Sequence, residues 1–148
     1  MPEPNLANDA WEALLTAHAA VMKQLAAENT WTDVSMREYD VLYTLSKCDS
    51  AQRISDLGDH VLLSQPALSR LVDRLVDRGL LSRCADPADA RAVRVSLTDQ
   101  GRDVQRSIGR THARDVQAAM GALTEDELIT LAAVTAKLAN SAPVRSQS

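Results

Sequence analysis

The stretch Leu63–Gly101, LSQPALSRLVDRLVDRGLLSRCADPADARAVRVSLTDQG, decides the fold, because its hydrophobic period changes from helical to alternating. Ser64 is a good N-cap for a helix over 65–78, and Pro66 falls in the first turn, where no amide needs a partner. Leu68, Leu71, Val72, Leu75 and Val76 recur at helical spacing as a buried stripe. The other face carries Gln65, Ser69, Arg70, Asp73, Arg74 and Asp77, and Gly79 stands where a left-handed C-cap belongs. Leu80–Cys84 and Arg91–Leu97 then read as two strands around the turn Asp86-Pro87-Ala88-Asp89. Val93, Val95 and Leu97 are expected to face inward, and Arg94 and Ser96 outward.

Outward from this stretch the chain is helical. Trp11, Leu14, Leu15, His18, Val21, Met22 and Leu25 mark an amphipathic helix over 6–28. Ser35 with Glu38 forms a capping box that opens a second helix through Lys47, closed by a polar turn at 49–52. Ile54–His60 is a short third helix, linked to the fourth by Val61-Leu62-Leu63. On the far side, Thr98 caps a long helix that Gly121 breaks, and Thr124 with Glu127 caps a last one. The expected class is mainly α with a small β-hairpin. The ends, Met1–Asn5 and Ser141–Ser148, read as frayed.

Composition narrows the class. The 148 residues suit one domain, and 45% apolar with 24% charged residues argues against wholesale disorder. No apolar run approaches the roughly 18 residues of a membrane span, and the first residues lack the pattern of a signal peptide, so a cytoplasmic protein without a membrane partner is expected. Cys48 and Cys84 make no disulfide framework. The net charge of −4 argues superficially against nucleic acid. Its distribution argues otherwise: residues 1–52 hold eight acids and three bases, whereas Ser64–Arg94 holds six Arg against four Asp.

A short helix, a tight connection and a capped helix with a polar outer face make a helix-turn-helix, and the hairpin that follows makes it winged. Such a helix just fits the major groove of DNA, where short polar side chains near its N-terminus reach base edges. Ser64 and Gln65 lie at that end, where the backbone amides also favour a phosphate. Ser69, Arg70 and Arg74 share the outward face, and an arginine fork suits guanine O6 and N7. Arg70, Arg74 and Arg78 also alternate with Asp73 and Asp77 at a spacing that gives ordinary surface ion pairs. The hairpin and its Asp-x-Arg tip tilt the choice towards DNA. Arg78 reads as a phosphate contact or an intramolecular salt bridge, and Arg83 and Arg94 as clamps on backbone phosphates.

The same stretch resembles the MarR family of bacterial transcription regulators. The likeness rests on the LSRLVDRL…RGLLSR helix exit, the Asp89-Ala90-Arg91 wing tip and the Leu97-Thr98-x-x-Gly101 entry to the long helix. Gly58 departs from it, since that position more often holds Ala. The resemblance implies a homodimeric regulator, a repressor acting on a pseudo-palindromic double-stranded DNA site. It implies a helical dimerisation region at 1–34 and 99–148 flanking a winged helix-turn-helix at 35–98. It also implies that Arg91 enters the minor groove with Asp89 orienting its guanidinium, which a narrow, negative groove makes physically sensible.

Small aromatic acids or phenols release many members of that family from DNA. Trp11, His18, Met22, Arg37, Tyr39 and Tyr43 are the residues expected to line such a pocket, although aromatics at helical spacing also serve as core. Thiol-based redox sensing through Cys48 or Cys84 is an alternative, with Arg83 beside Cys84 as its only support. A winged helix used for protein contacts, without DNA, is another. His18, His60 and His112 lack metal-ligand spacing, so neither a metal nor another cofactor is expected. With no glycine-rich phosphate loop, HExxH, GxSxG or CxxC, the chain does not read as an enzyme.

Overall fold

The buried leucines and valines of residues 34–97 gather one core, which sets how the remaining helices are arranged around it. The computed structural model describes residues 1–58 and 61–141. Its elements are α1 (Pro4–Ala26), α2 (Met36–Ser46), β1 (Gln52–Arg53), α3 (Ile54–Leu57), α4 (Gln65–Asp77), β2 (Leu81–Ala85), β3 (Val93–Leu97), α5 (Asp99–Ala119) and α6 (Glu125–Ser141). The chain is mainly helical with a small antiparallel sheet, a winged helix-turn-helix. The sheet has three strands in the order β1-β3-β2. The third strand is a correction: Gln52 was expected in a polar turn, yet Gln52 and Arg53 pair with Val95 and Arg94. Two residues are too few to show a period.

Local signals set most boundaries. The Ser35 and Thr124 capping boxes both form, with Glu38 and Glu127 as the reciprocal partners. Helix α1 begins at Pro4, a residue suited to a first turn, rather than fraying through Asn5. The expected third helix reached His60; Asp59 and His60 lie outside the described residues, as do 142–148.

The core is built from Val41, Leu42 and Leu45 of α2, Leu57 of α3, Leu68, Leu71, Val72 and Leu75 of α4, and Leu80, Leu81, Val95 and Leu97. Each such side chain contributes about 1.5–3 kcal/mol on burial, so α4 is held by packing rather than by helix propensity. Helix α4 ends in a Schellman motif. Gly79 adopts φ 75°, its amide bonds the Val76 carbonyl, and the Leu80 amide bonds that of Leu75.

One knot joins that motif to α5. The Thr98 amide donates to the Leu80 carbonyl, and its hydroxyl donates to the Gly79 carbonyl at 2.6 Å while accepting from the Gly101 amide at 3.0 Å. A Cβ at Gly101 would overlap the Leu80 carbonyl oxygen and lie 3.3 Å from Leu97 Cδ2. The glycine is therefore required by close approach of two backbones.

The outer helices differ. Of α1 only Leu25 is buried, and α6 has no buried residue among those described. Leu6, Trp11 and Leu15 on α1, and Ile129, Leu131, Val134 and Leu138 on α6, stay exposed. A cleft of about 750 Å³ between these helices is lined almost wholly by apolar side chains.

Candidate nucleic-acid interface

Helix α4 and the hairpin position the cations expected to matter. Ser64 caps α4 by accepting from the Ala67 amide at 3.3 Å, so its hydroxyl is already engaged. Gln65, Arg70 and Arg74 are exposed and Ser69 is half-buried. Arg70 and Arg74 border an open groove of about 330 Å³ that also includes Ser35, Leu63 and, unexpectedly, Arg37. Arg37 was expected beside Tyr39 and Tyr43. Two residues turn a helix by about 200°, so Arg37 and Tyr39 face nearly opposite ways. The groove therefore gathers three arginines from two helices.

At the wing tip Arg91 is exposed, with no ion pair among the described residues. Asp89 acts differently from the expectation. Its carboxylate accepts from the Arg91 amide at 3.0 Å, so it shapes the turn rather than holding the guanidinium. The aspartate orients the residue through the backbone.

Other arginines are committed within the fold. Arg78 donates to the Asp33 carbonyl and pairs with Glu38 at 3.5 Å, the intramolecular alternative foreseen for it. Arg83 pairs with Asp73 across the surface. Arg94 lies on the expected sheet face, but its side chain is half-buried and engaged within the fold. Its Nε lies 3.0 Å from Asp86 and its Nη1 donates to the Ala51 carbonyl. Val93, expected inward, is 42% exposed because the core ends at Val95.

Asp86 was read only as a turn residue. It is 3% exposed and anchors the wing. Its carboxylate accepts from the Ala88 amide at 2.8 Å and from Arg53 Nε at 2.5 Å, with Arg94 alongside. Arg53 is the N-cap residue of α3, so Asp86 joins the wing base to the first helix of the motif. The amide bond from Ala88, then the Arg53 guanidinium, hold this carboxyl well below the usual carboxylate range. A lowered folded-state value means the stabilisation is complete above the ordinary carboxylate range near pH 4 and is lost as pH falls towards the folded value. Wild type should therefore lose stability relative to Asp86→Asn between about pH 4 and pH 2. Parallel acid-unfolding curves for the two proteins would exclude this anchor.

The residues expected to line an effector pocket do not converge. Trp11 borders the α1–α6 cleft, His18 is exposed, Met22 is half-buried and Arg37 faces α4. Only Tyr39 and Tyr43 remain, in a cleft of about 430 Å³ between α2 and α5, with Asp40, Gly109, His112, Ala113 and Val116. His112 and Trp31 were missed because their partners are distant in sequence. The His112 ring lies 5.1 Å from Trp31 and 5.2 Å from Tyr39, and its Nδ1 is buried without a hydrogen-bond partner among the described residues. Burial raises the Tyr39 phenol and the Asp40 carboxyl above their ordinary values, with Arg37 opposing the shift on Asp40. Cys48 is half-buried and donates to the Thr44 carbonyl at 3.3 Å, whereas Cys84 is exposed on β2. No cluster of three or more potential metal ligands occurs among the described residues.

With this geometry in view, residues 34–93 match the model of the MarR family. The match spans less than half of the chain and marks a likeness of its winged helix-turn-helix to that family. The HTH-type transcriptional repressor MdtR of Bacillus subtilis is 31% identical over 103 residues, covering 69% of this chain and 65% of its own. Matches to the curated relatives span from 53% to 65% of those proteins' lengths. The structure of the PcaV transcriptional regulator from Streptomyces coelicolor, in complex with its natural ligand, is 27% identical with a TM-score of 0.68. It covers 97% of this chain and 100% of that one. A MarR family transcriptional regulator from Streptomyces coelicolor, Sco3205, solved in complex with DNA, shares the fold at a TM-score of 0.79 and 21% identity, over 98% of this chain and 92% of that one. No described helix is long and apolar enough to cross a membrane.

Proposed function

We propose that this chain is a MarR-family regulator: a cytoplasmic, non-enzymatic transcription regulator, a repressor that binds double-stranded DNA as a homodimer. The observation that carries the reading is a pair of exposed elements: α4 with Arg70 and Arg74 outward, and a wing whose Arg91 has no ion pair among the described residues. Arg70 reads a base edge in the major groove, with Gln65 and Ser69 beside it. Arg74 and Arg37 neutralise phosphates, and Arg91 enters the minor groove. Arg94 drops out of this set, because Asp86 and the Ala51 carbonyl hold it. Ser64 contributes through its cap, and Asp89 through the turn it shapes.

Homodimerisation is supported by the outer helices. Exposed Leu6, Trp11, Val134 and Leu138 are costly to leave in water, and a second copy's α1 and α6 present the same apolar surface. This assigns 1–34 and 99–148 to dimerisation and 35–98 to DNA. The cleft at Tyr39 and Tyr43 is the place for a small effector that relieves binding, a role supported by the ligand held by the PcaV relative. The DNA-bound neighbour supports the partner. Selection from random DNA tests the proposal. Enriched inverted repeats with centres roughly 10 bp apart are expected, and single, unpaired half-sites would refute the symmetric dimer.

A further inference from the structure

Resting on the reading of the α2–α5 cleft as an effector site, we infer that it takes a protonated arylalkylamine, a cation with one aromatic ring, in preference to an aromatic carboxylate. The lining carries one ionisable carboxylate, Asp40, and neither lysine nor arginine. An aromatic acid seated there would bring its own carboxylate against Asp40; Lys47, the cation beside the cleft, lies over the Tyr43 ring rather than in the lining. An ammonium group there gains a partner instead. Asp40 forms no ion pair within 4 Å among the described residues, so its charge is not already taken; Arg37, a turn earlier on α2, and then His112 across the cleft ease that charge without pairing with it.

The walls suit the rest of such a molecule. Tyr39 and Tyr43 stack with centroids 5.9 Å apart, and His112 meets the edge of Tyr39. Tyrosine faces attract cations through the ring quadrupole. Tyr43 already does this within the fold, where Lys47 Nζ lies 4.4 Å from its ring centroid. The buried, unpaired His112 Nδ1 adds a hydrogen-bonding group beside the cleft. A volume of about 430 Å³ accommodates a single ring with a two-carbon arm.

A matched series separates charge from shape: tyramine, the neutral tyrosol and para-hydroxyphenylacetate, titrated calorimetrically into the full chain, with DNA release followed in parallel. Tyramine is expected to bind at least about tenfold tighter than para-hydroxyphenylacetate, with tyrosol between them. Asp40→Asn is expected to bring tyramine down to the tyrosol level. The wild-type series alone decides the sign, so a poorly folded variant does not blunt the test. Equal or tighter binding of para-hydroxyphenylacetate overturns the cation preference while leaving an effector site in place. Binding of none of the three at millimolar concentration overturns both. Tyramine binding that leaves DNA bound upholds the preference and removes the effector role.

Discussion

Gly101→Ala is expected to cost about 3 kcal/mol or more of folding stability, a large effect for one methyl group. The new Cβ would overlap the Leu80 carbonyl oxygen, which is backbone and cannot rotate away as a side chain can. That oxygen already accepts from the Thr98 amide, and Thr98 also holds Gly79 and caps α5. Moving α5 outward to admit the methyl breaks this knot and loosens Leu80, Leu81 and Leu97, all buried. Urea unfolding followed by circular dichroism measures the loss as a lower midpoint. A midpoint shift equivalent to less than about 1 kcal/mol would show that the two backbones are not packed as described.

The second large effect concerns DNA, where two arginines should fail differently. Arg70→Ala is expected to lose about 1–3 kcal/mol of discrimination at one base pair per half-site, with other positions still read. Arg91→Ala should instead weaken binding nearly evenly across sequences and reduce the salt slope. The difference follows from placement. Arg70 projects from a rigid helix whose opposite face is fixed by Leu68, Leu71, Val72 and Leu75, so its reach is defined. Arg91 stands on a turn and meets a groove whose pattern is degenerate, so it senses potential and width more than sequence. Affinities measured on a set of single-base variants separate the two. Identical profiles for both mutants would contradict the division between α4 and the wing.

Much of the fold was legible because its signals are local. Ser35 with Glu38, Thr124 with Glu127, and Gly79 after a five-residue apolar stripe each fix a helix end within a few residues, and the structure follows them. The misses involve pairs distant in the chain. Asp86 and Arg53 are 33 positions apart, and neither residue alone signals a buried ion pair. His112 falls between Ile108 and Val116 on the apolar stripe of α5, which marks its face but not its partners, Trp31 in the α1–α2 connection and Tyr39 of α2. The expected pocket failed for the same reason in reverse: residues grouped by type were spread by helix geometry over three sites. The charge pattern proved more informative than its sum. Of the six arginines between Ser64 and Arg94, Arg78, Arg83 and Arg94 are tied to acids, leaving Arg70, Arg74 and Arg91, joined by Arg37 from α2.

That small set makes a quantitative demand on DNA binding. Four arginines per subunit, doubled in a dimer, should release several counterions from the phosphate backbone, so affinity for a selected site should fall along a straight log–log line with salt. Between about 50 and 200 mM salt the loss should be on the order of a thousandfold, with little residual binding to unrelated DNA of the same length. Fluorescence anisotropy of the full chain on its selected site, titrated across that range, makes the measurement. A steep line for wild type is the expected result; weak binding that stays flat across the range would contradict the assignment of these arginines to DNA.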